Sequence, residues 1–223
     1  MKVAFITRGS IYDLTNDDFN ALVGVKVVVF SYNGVGIVNF RSEIDGLDSK
    51  LEDIARLSKA LSSVVIVGAD TDNLGVFKHS VVVADCGRIL GVSDSVTAYL
   101  GQEFKCGYGL RAYDTTAGRL GVIVNDDIFC ADIYKTFADS DADVVFAVTK
   151  RQDNFVAEMM VITGAYCNGV YGCLCFDGCA LVGDISGEAL IKTTERFLVT
   201  NVPINKSYRI ITIKRRCNKS FVL

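Results

Sequence analysis

GRLGVIVNDDIFCADIYKTF, residues 118–137, decides how the chain is read. After Arg119 the run to Val124 is apolar and rich in β-branched residues, which predicts a buried strand. The strand stops at Asn125, and the residues beyond it predict a helix entered directly, with Asp126 and Asp127 in a first turn where the dipole favours acids. Many α/β enzymes keep a nucleophile at such a strand-to-helix turn. Here it is an asparagine, whose delocalised amide nitrogen exchanges hydrogen bonds but does not attack. Among residues with a Cβ, asparagine is one of the most tolerant of unusual φ/ψ. The plain reading of Asn125 is therefore a turn residue and helix cap, ahead of a ligand-binding role.

Working outward, the pattern alternates strands and helices. Lys2 to Ile6 predicts a strand, TNDDFNALVG a helix capped by Thr15, and VKVVVFS a second buried strand, so the chain opens β-α-β. Leu47, Leu51, Ile54, Leu57 and Leu61 fall at steps of three and four, one face of a helix, with Ser49 and Glu52 spaced as a capping box. SVVIVGAD predicts another buried strand, and HSVVVADCGRILGVSDSV a hairpin turning at Asp85-Cys86-Gly87. Residues 101–118 carry no clear periodicity and are expected to form a long surface loop. Beyond the quoted stretch come a strand in ADVVFAV, a helix over about 154–165, β-rich runs around Tyr171 and Leu181, and ERFLVTNV. Such a chain is α/β with mixed sheets, folded as one domain over 1–223, with 204–223 as a C-terminal strand or tail after Pro203.

Composition narrows the function. The 23 basic and 26 acidic residues are interspersed and sum to −3, so no basic field exists for nucleic acid; the run Lys214-Arg215-Arg216 reads as a solvated tail. No apolar run approaches the roughly 20 residues of a membrane span, and the N-terminus reads as a strand rather than a signal peptide. A cytoplasmic protein is expected, with no membrane partner. Its eight cysteines then read as reduced thiols. Cys173, Cys175 and Cys179, with Cys167 upstream, do not have the spacing of a zinc finger or ribbon, and no metal is expected. There is no GxGxxG after the first strand and no Walker loop, so no cofactor is expected.

Several segments, in order across roughly 200 residues, resemble the nitrilase, or carbon-nitrogen hydrolase, superfamily. GVIVNDD resembles the family's Gly-Val-apolar-Ile-Cys-Tyr-Asp, matching Gly121, Val122 and Asp127 but with Asn125 at the cysteine. VKVVVFS resembles the strand before its Pro-Glu, VVVADCGRILG its hairpin, AYCNGVYG its Ala-x-Glu-Asn segment, and DISGEAL its Asp-x-x-Gly-Glu turn. The resemblance implies a four-layer αββα sandwich and cleavage of amides or nitriles by a Glu-Lys-Cys triad.

Carried over residue by residue, the triad is absent. The glutamate position falls at Ser31-Tyr32, the lysine position at Asp94-Ser95, and the cysteine position at Asn125. The chemistry needs a thiolate to attack, a carboxylate to move the proton and a cation for the developing oxyanion. Tyr32, with an ordinary pKa near 10, is a poor base at neutral pH, and Ser95 carries no charge. The expectation is a catalytically inactive nitrilase-fold protein with a small-molecule-binding or subunit role. Its old pocket would be lined by Tyr32, Asp94, Ser95, Asn125, Asp127 and Cys130, although Cys130 reads as more buried in the helix than aimed at a pocket. An active hydrolase with altered residues is the alternative; for it His79, the only histidine, has no identifiable partner in sequence. The loops between hairpin and elbow and after Asn168 are short for the family. The resemblance further implies a homodimer through the outer helices.

Overall fold

The computed structural model describes residues 1–97, 103–150 and 154–204. The Lys214-Arg215-Arg216 run and all but the first residue of the expected 204–223 tail lie outside the described residues. In the opening unit β1 (Lys2–Ile6) pairs in parallel with β2 (Val27–Phe30), the two joined through α1 (Asn16–Ala21). Thr15 caps α1 reciprocally: its hydroxyl accepts from the Asp18 N–H, and the Asp18 carboxylate accepts from the Thr15 N–H at 2.9 Å.

The short β3 (Ile37–Asn39) and α2 (Phe40–Ile44) follow, and then α3 (Lys50–Leu61). Ile54 and Leu57 are buried as the periodicity predicts, but Leu47 precedes the helix and is 82% exposed. The Ser49–Glu52 capping box does not form either. Instead Glu43, at the end of α2, reaches forward to accept the N–H groups of Lys50, at 2.8 Å, and Leu51. A carboxylate at a helix N-terminus satisfies orphan donors and the dipole together.

The β-rich middle is more extended than the sequence suggests. β4 (Val64–Asn73) turns back at Leu74-Gly75 into β5 (Val76–Asp85), an antiparallel pair of ten residues each, and β5 turns at Cys86-Gly87 into β6 (Arg88–Asp94). Both central residues of each turn have positive φ, the geometry that matches strand twist. His79 therefore lies within a strand, opposite Asp70, rather than ahead of one. The expected long loop ends earlier than predicted, because β7 (Ala112–Thr115) pairs with β8 (Gly118–Val124).

β8 does not enter an α-helix directly. Residues 125–129 form a 3-10 turn, Cys130 resets the backbone to an extended conformation, and α4 (Ala131–Asp139) starts there. β9 (Val144–Val148), α5 (Asn154–Asn168), β10 (Tyr171–Phe176), β11 (Cys179–Gly183), β12 (Ala189–Thr193) and β13 (Phe197–Asn201) complete the described chain.

Two mixed sheets result. One has the order β13-β1-β2-β4-β5-β6, with β3 paired to the far end of β4; the other has the order β12-β11-β10-β9-β8-β7. Alternating residues of β1, β2, β4, β5, β8, β9 and β10 form one core between the sheets, including Phe5, Val29, Ile66, Val124 and Phe146. A second core lies under the helices of the first sheet and a third under α4 and α5. This is the four-layer αββα sandwich. The quoted stretch shows how tightly the layers close: a Cβ on Gly121 would come within 2.6 Å of the Phe137 ring on α4.

The cysteines separate into different layers. Cys173 and Cys175 belong to the inter-sheet core, where burial pushes both thiols up, Cys179 faces the third core, and Cys167 is exposed on α5. The Cys179 thiol donates to Glu158 at 3.8 Å, and burial pushes it up to about 11. No helix among the described residues is long and apolar enough to cross a membrane.

The capping arrangement is directly testable. Glu43→Ala should lower stability by about 1 kcal/mol in urea denaturation, whereas Glu52→Ala should change it by only a few tenths of that. Equal losses would contradict the cap seen here.

Candidate functional site

The C-terminal ends of β2, β8 and β9 meet the middle of the β4–β5 hairpin at one end of the sandwich. Tyr32, two residues past β2, lies against Gly68 of β4, where a Cβ would come within 2.7 Å of the Tyr32 Cα. The missing side chain lets the tyrosine enter. Its hydroxyl lies 2.9 Å from both the Ala69 carbonyl and Asp70 Oδ1, either of which takes its one proton, and it accepts the Ser80 N–H at 3.1 Å. Burial, reinforced by Asp70, drives the phenol far above its ordinary pKa, so it acts as a neutral hydrogen-bonding group.

Asp70 is the hub. His79 Nδ1 donates to its Oδ1 at 2.8 Å, and Lys150 Nζ donates to its Oδ2 at 2.6 Å. Burial raises the Asp70 pKa, but the bonds from His79, Lys150 and Tyr32 outweigh it and hold the carboxyl below its usual range. The His79 ring stacks on Phe104 with centroids 3.9 Å apart and meets Tyr32 edge-on at 5.9 Å. Lys150 Nζ lies 4.8 Å from the Tyr32 ring centroid and 5.3 Å from that of Phe104, within cation–π range of both.

Asn125 is buried, and its φ of 50° places it in the left-handed region. It does not cap a helix. Its Oδ1 accepts the Lys150 N–H at 3.2 Å and the Thr149 hydroxyl at 3.4 Å, tying the end of β8 to the end of β9. That bond sets the backbone from which Lys150 reaches Asp70.

Ser95 and Asp127 form a neighbouring set. Asp127, fully buried, accepts from the Ser95 hydroxyl at 2.9 Å, from the N–H groups of Val96 and Thr97, and from the Thr97 hydroxyl at 2.7 Å. Burial raises its pKa despite these donors. Asp127 is thus an anchor for the segment leaving β6, rather than a helix-dipole residue.

The remaining expected lining residues lie elsewhere. Asp94 pairs with Lys78 at 2.8 Å and accepts from the Ser80 hydroxyl at 2.8 Å, which links it to Tyr32 only through Ser80. Cys130 starts α4 half-buried against the outer core of the second sheet, on the far side from Tyr32. The turn preceding it carries the side chain outward.

Sequence reasoning missed Asp70, Phe104 and Lys150. The signal for Asp70 is the cluster Asp72-Asn73-Leu74-Gly75, a turn that folds β5 onto β4 and sets Asp70 beside His79. Lys150 carries no local signal, since β8 and β9 bring it in from 80 residues away.

The comparisons with known proteins now have a geometry to meet. No protein-family model matches the sequence, and no curated protein does. Solved structures match over the whole chain. The amidase of Nesterenkonia sp. AN1, from the nitrilase superfamily, superposes with a TM-score of 0.75 at 15% identity, covering 100% of both chains. A cysteine-to-alanine mutant of that amidase in complex with butyramide gives the same TM-score at 16% identity, covering 100% of this chain and 97% of its own.

This chain has the nitrilase fold.

Another structure of the amidase carries acrylamide added at its active-site cysteine. The nitrilase-fold chain described here has Asn125 at the elbow where the family resemblance places that residue type.

Asp70→Asn should cost about 2 kcal/mol at neutral pH, because Lys150 loses its carboxylate in a half-buried setting. The sign with pH follows from the depressed pKa. The stabilisation from Asp70 is fully present above its unfolded value near 3.8 and fades as pH falls through the lower folded value. Urea denaturation of both proteins at pH 7 and pH 3 should show the gap narrowing in acid; a constant gap would contradict the ionised hub.

Proposed function

We propose that this protein is a degenerate nitrilase-superfamily member that does not cleave carbon-nitrogen bonds and serves as a self-associating subunit. One observation carries the first half. The side chains at all three positions matched to the triad are buried and engaged in hydrogen bonds within the protein: Tyr32 to Asp70 and Ser80, Ser95 to Asp127, and Asn125 to Thr149 and Lys150.

The chemistry follows from these bonds. Asn125 offers no nucleophile, and its carbonyl oxygen, the better acceptor, faces two donors. Tyr32 would have to lose a proton held by burial far above neutrality. Lys150 supplies a cation near the elbow, but it is paired with Asp70 and so is not free for an oxyanion. His79 is oriented by a carboxylate as a general base would be. Among the described residues, no thiol or hydroxyl hydrogen-bonds to its ring, so the altered-hydrolase alternative lacks a nucleophile. Purified protein should release no ammonia from butyramide or acrylamide above the buffer rate, and Asn125→Cys should not restore turnover, because Tyr32 keeps its proton and Lys150 is held by Asp70. Turnover by the wild type that His79→Ala abolishes would overturn this reading.

The second half rests on α5. Phe155 is 72% exposed, Met159 46% and Tyr166 53%, and with the half-buried Ile162 they recur at helical spacing on one face. A stripe of large apolar side chains on an outer helix suits an isologous contact with a second copy, in which each residue meets the same surface of its partner. The family resemblance points to the same outer layer. Sedimentation velocity at micromolar concentration should show a dimer for the wild type and a monomer for Phe155→Glu/Met159→Glu, with the thermal midpoint of the folded domain nearly kept. A monomeric wild type would remove the subunit role.

A further inference from the structure

Each sheet has an edge strand at the same side of the sandwich. β6 ends the first sheet and β7 ends the second, so the sandwich presents two edge strands next to each other. A cleft of about 270 Å³ lies between them, lined by residues 88–90 of β6 and residues 111–114 at β7. Its position at the start of β6 separates it from Ser95, which follows the end of that strand.

Its chemistry is unusual for a strand edge. Tyr113 is buried and forms the floor, its hydroxyl 2.8 Å from Ser93 Oγ of the other sheet. The Arg111 guanidinium lies 5.0 Å from the Tyr113 ring centroid and crosses to β6, where it rests on Gly91. A Cβ at Gly91 would come within 2.5 Å of Arg111 Nη1, so the glycine makes room for the cation. Arg88 lines the same cleft from the start of β6. Neither arginine has an ion pair among the described residues. The one carboxylate in the lining, Asp114, is exposed and already paired with Arg119 at 2.9 Å.

Two exposed arginines that line one cleft, without an ion pair among the described residues, are suited to a planar or tetrahedral oxyanion. Guanidinium groups bind such groups through paired N–H donors, and the half-buried Ile89, Leu90 and Ala112 of the lining offer contact to a short apolar body. The volume is just below the usual range for drug-sized ligands, which sets a small molecule. We propose that the cleft between β6 and β7 binds a small organic oxyanion, a carboxylate or a phosphate ester on a short apolar body, held by Arg88 and Arg111. This site is independent of the reading of the Tyr32–Asn125 region and stands whether or not that region is catalytic.

Isothermal titration of the full-length protein with phenyl phosphate, benzoate and neutral benzamide tests it. Saturable binding of phenyl phosphate or of benzoate is expected, and which of the two binds more tightly assigns the headgroup. Binding should weaken roughly tenfold in Arg88→Gln and in Arg111→Gln. Gly91→Ala keeps both charges but displaces the flexible end of Arg111, and should weaken binding several-fold with the fold intact. Arg56→Gln, on the exposed face of α3, should leave affinity unchanged. The proposal fails if neither anion saturates, if benzamide binds as tightly as benzoate, or if Arg56→Gln weakens binding as much as Arg111→Gln.

Discussion

The Asp70 carboxylate joins more of this molecule than any other single group at the ends of its strands. It sits in β4 and receives Tyr32 from beyond β2, His79 from β5 and Lys150 from beyond β9. Those donors come from both sheets, so one side chain fastens the two layers at the mouth of the sandwich. The hydrophobic core holds the sheets face to face but is indifferent to small slides between them. Directional, charge-assisted bonds are not. Removing the carboxylate would leave a lysine with its charge stranded against two aromatic rings, which is why the site is organised around an acid rather than filled with apolar side chains.

The elbow after β8 shows how one residue sets a turn and ties two strands together. A nucleophile on a strand-to-helix turn needs a strained backbone, and Asn125 has a φ of 50°, a conformation that asparagine adopts at lower cost than most residues. Its side chain then does structural work that a thiol would do poorly, accepting two donors from the end of β9. Tyr32 behaves similarly. Its neutral hydroxyl donates to Asp70 or to Ala69 and accepts from Ser80, so that end of the first sheet is satisfied by hydrogen bonds.

Much of the fold was legible because apolar periodicity is a local signal. The quoted strand, the opening β-α-β unit, the Cys86-Gly87 hairpin and α5 all follow from patterns within a dozen residues. The Glu43 cap was not legible, since a carboxylate in one helix serving the next is a tertiary event that the nearer Ser49–Glu52 spacing imitates. β7 and β12 were missed for a related reason: they are edge strands with exposed positions, so neither presents a buried run. The site divides in the same way. Motif order singles out Asn125, Tyr32 and Ser95, while Asp70 and Lys150 are brought together by strand pairing across 80 residues. Cys130 starts α4 because the 3-10 turn after Asn125 comes before the helix, an irregularity that helical spacing does not encode.

The distribution of satisfied and unsatisfied groups argues where this molecule meets others. In the Tyr32–Asn125 region the carboxylates have donors and the lysine has its acid, so an incoming ligand would have to displace internal bonds before making its own. At the β6–β7 edge the opposite holds: two exposed guanidinium groups line one cleft without an ion pair among the described residues, and an anion would complete the arrangement rather than break one. The exposed stripe on α5 is likewise incomplete, with apolar surface in place of charge. The physical reason is the same at each: binding is favourable where the free protein leaves groups without partners.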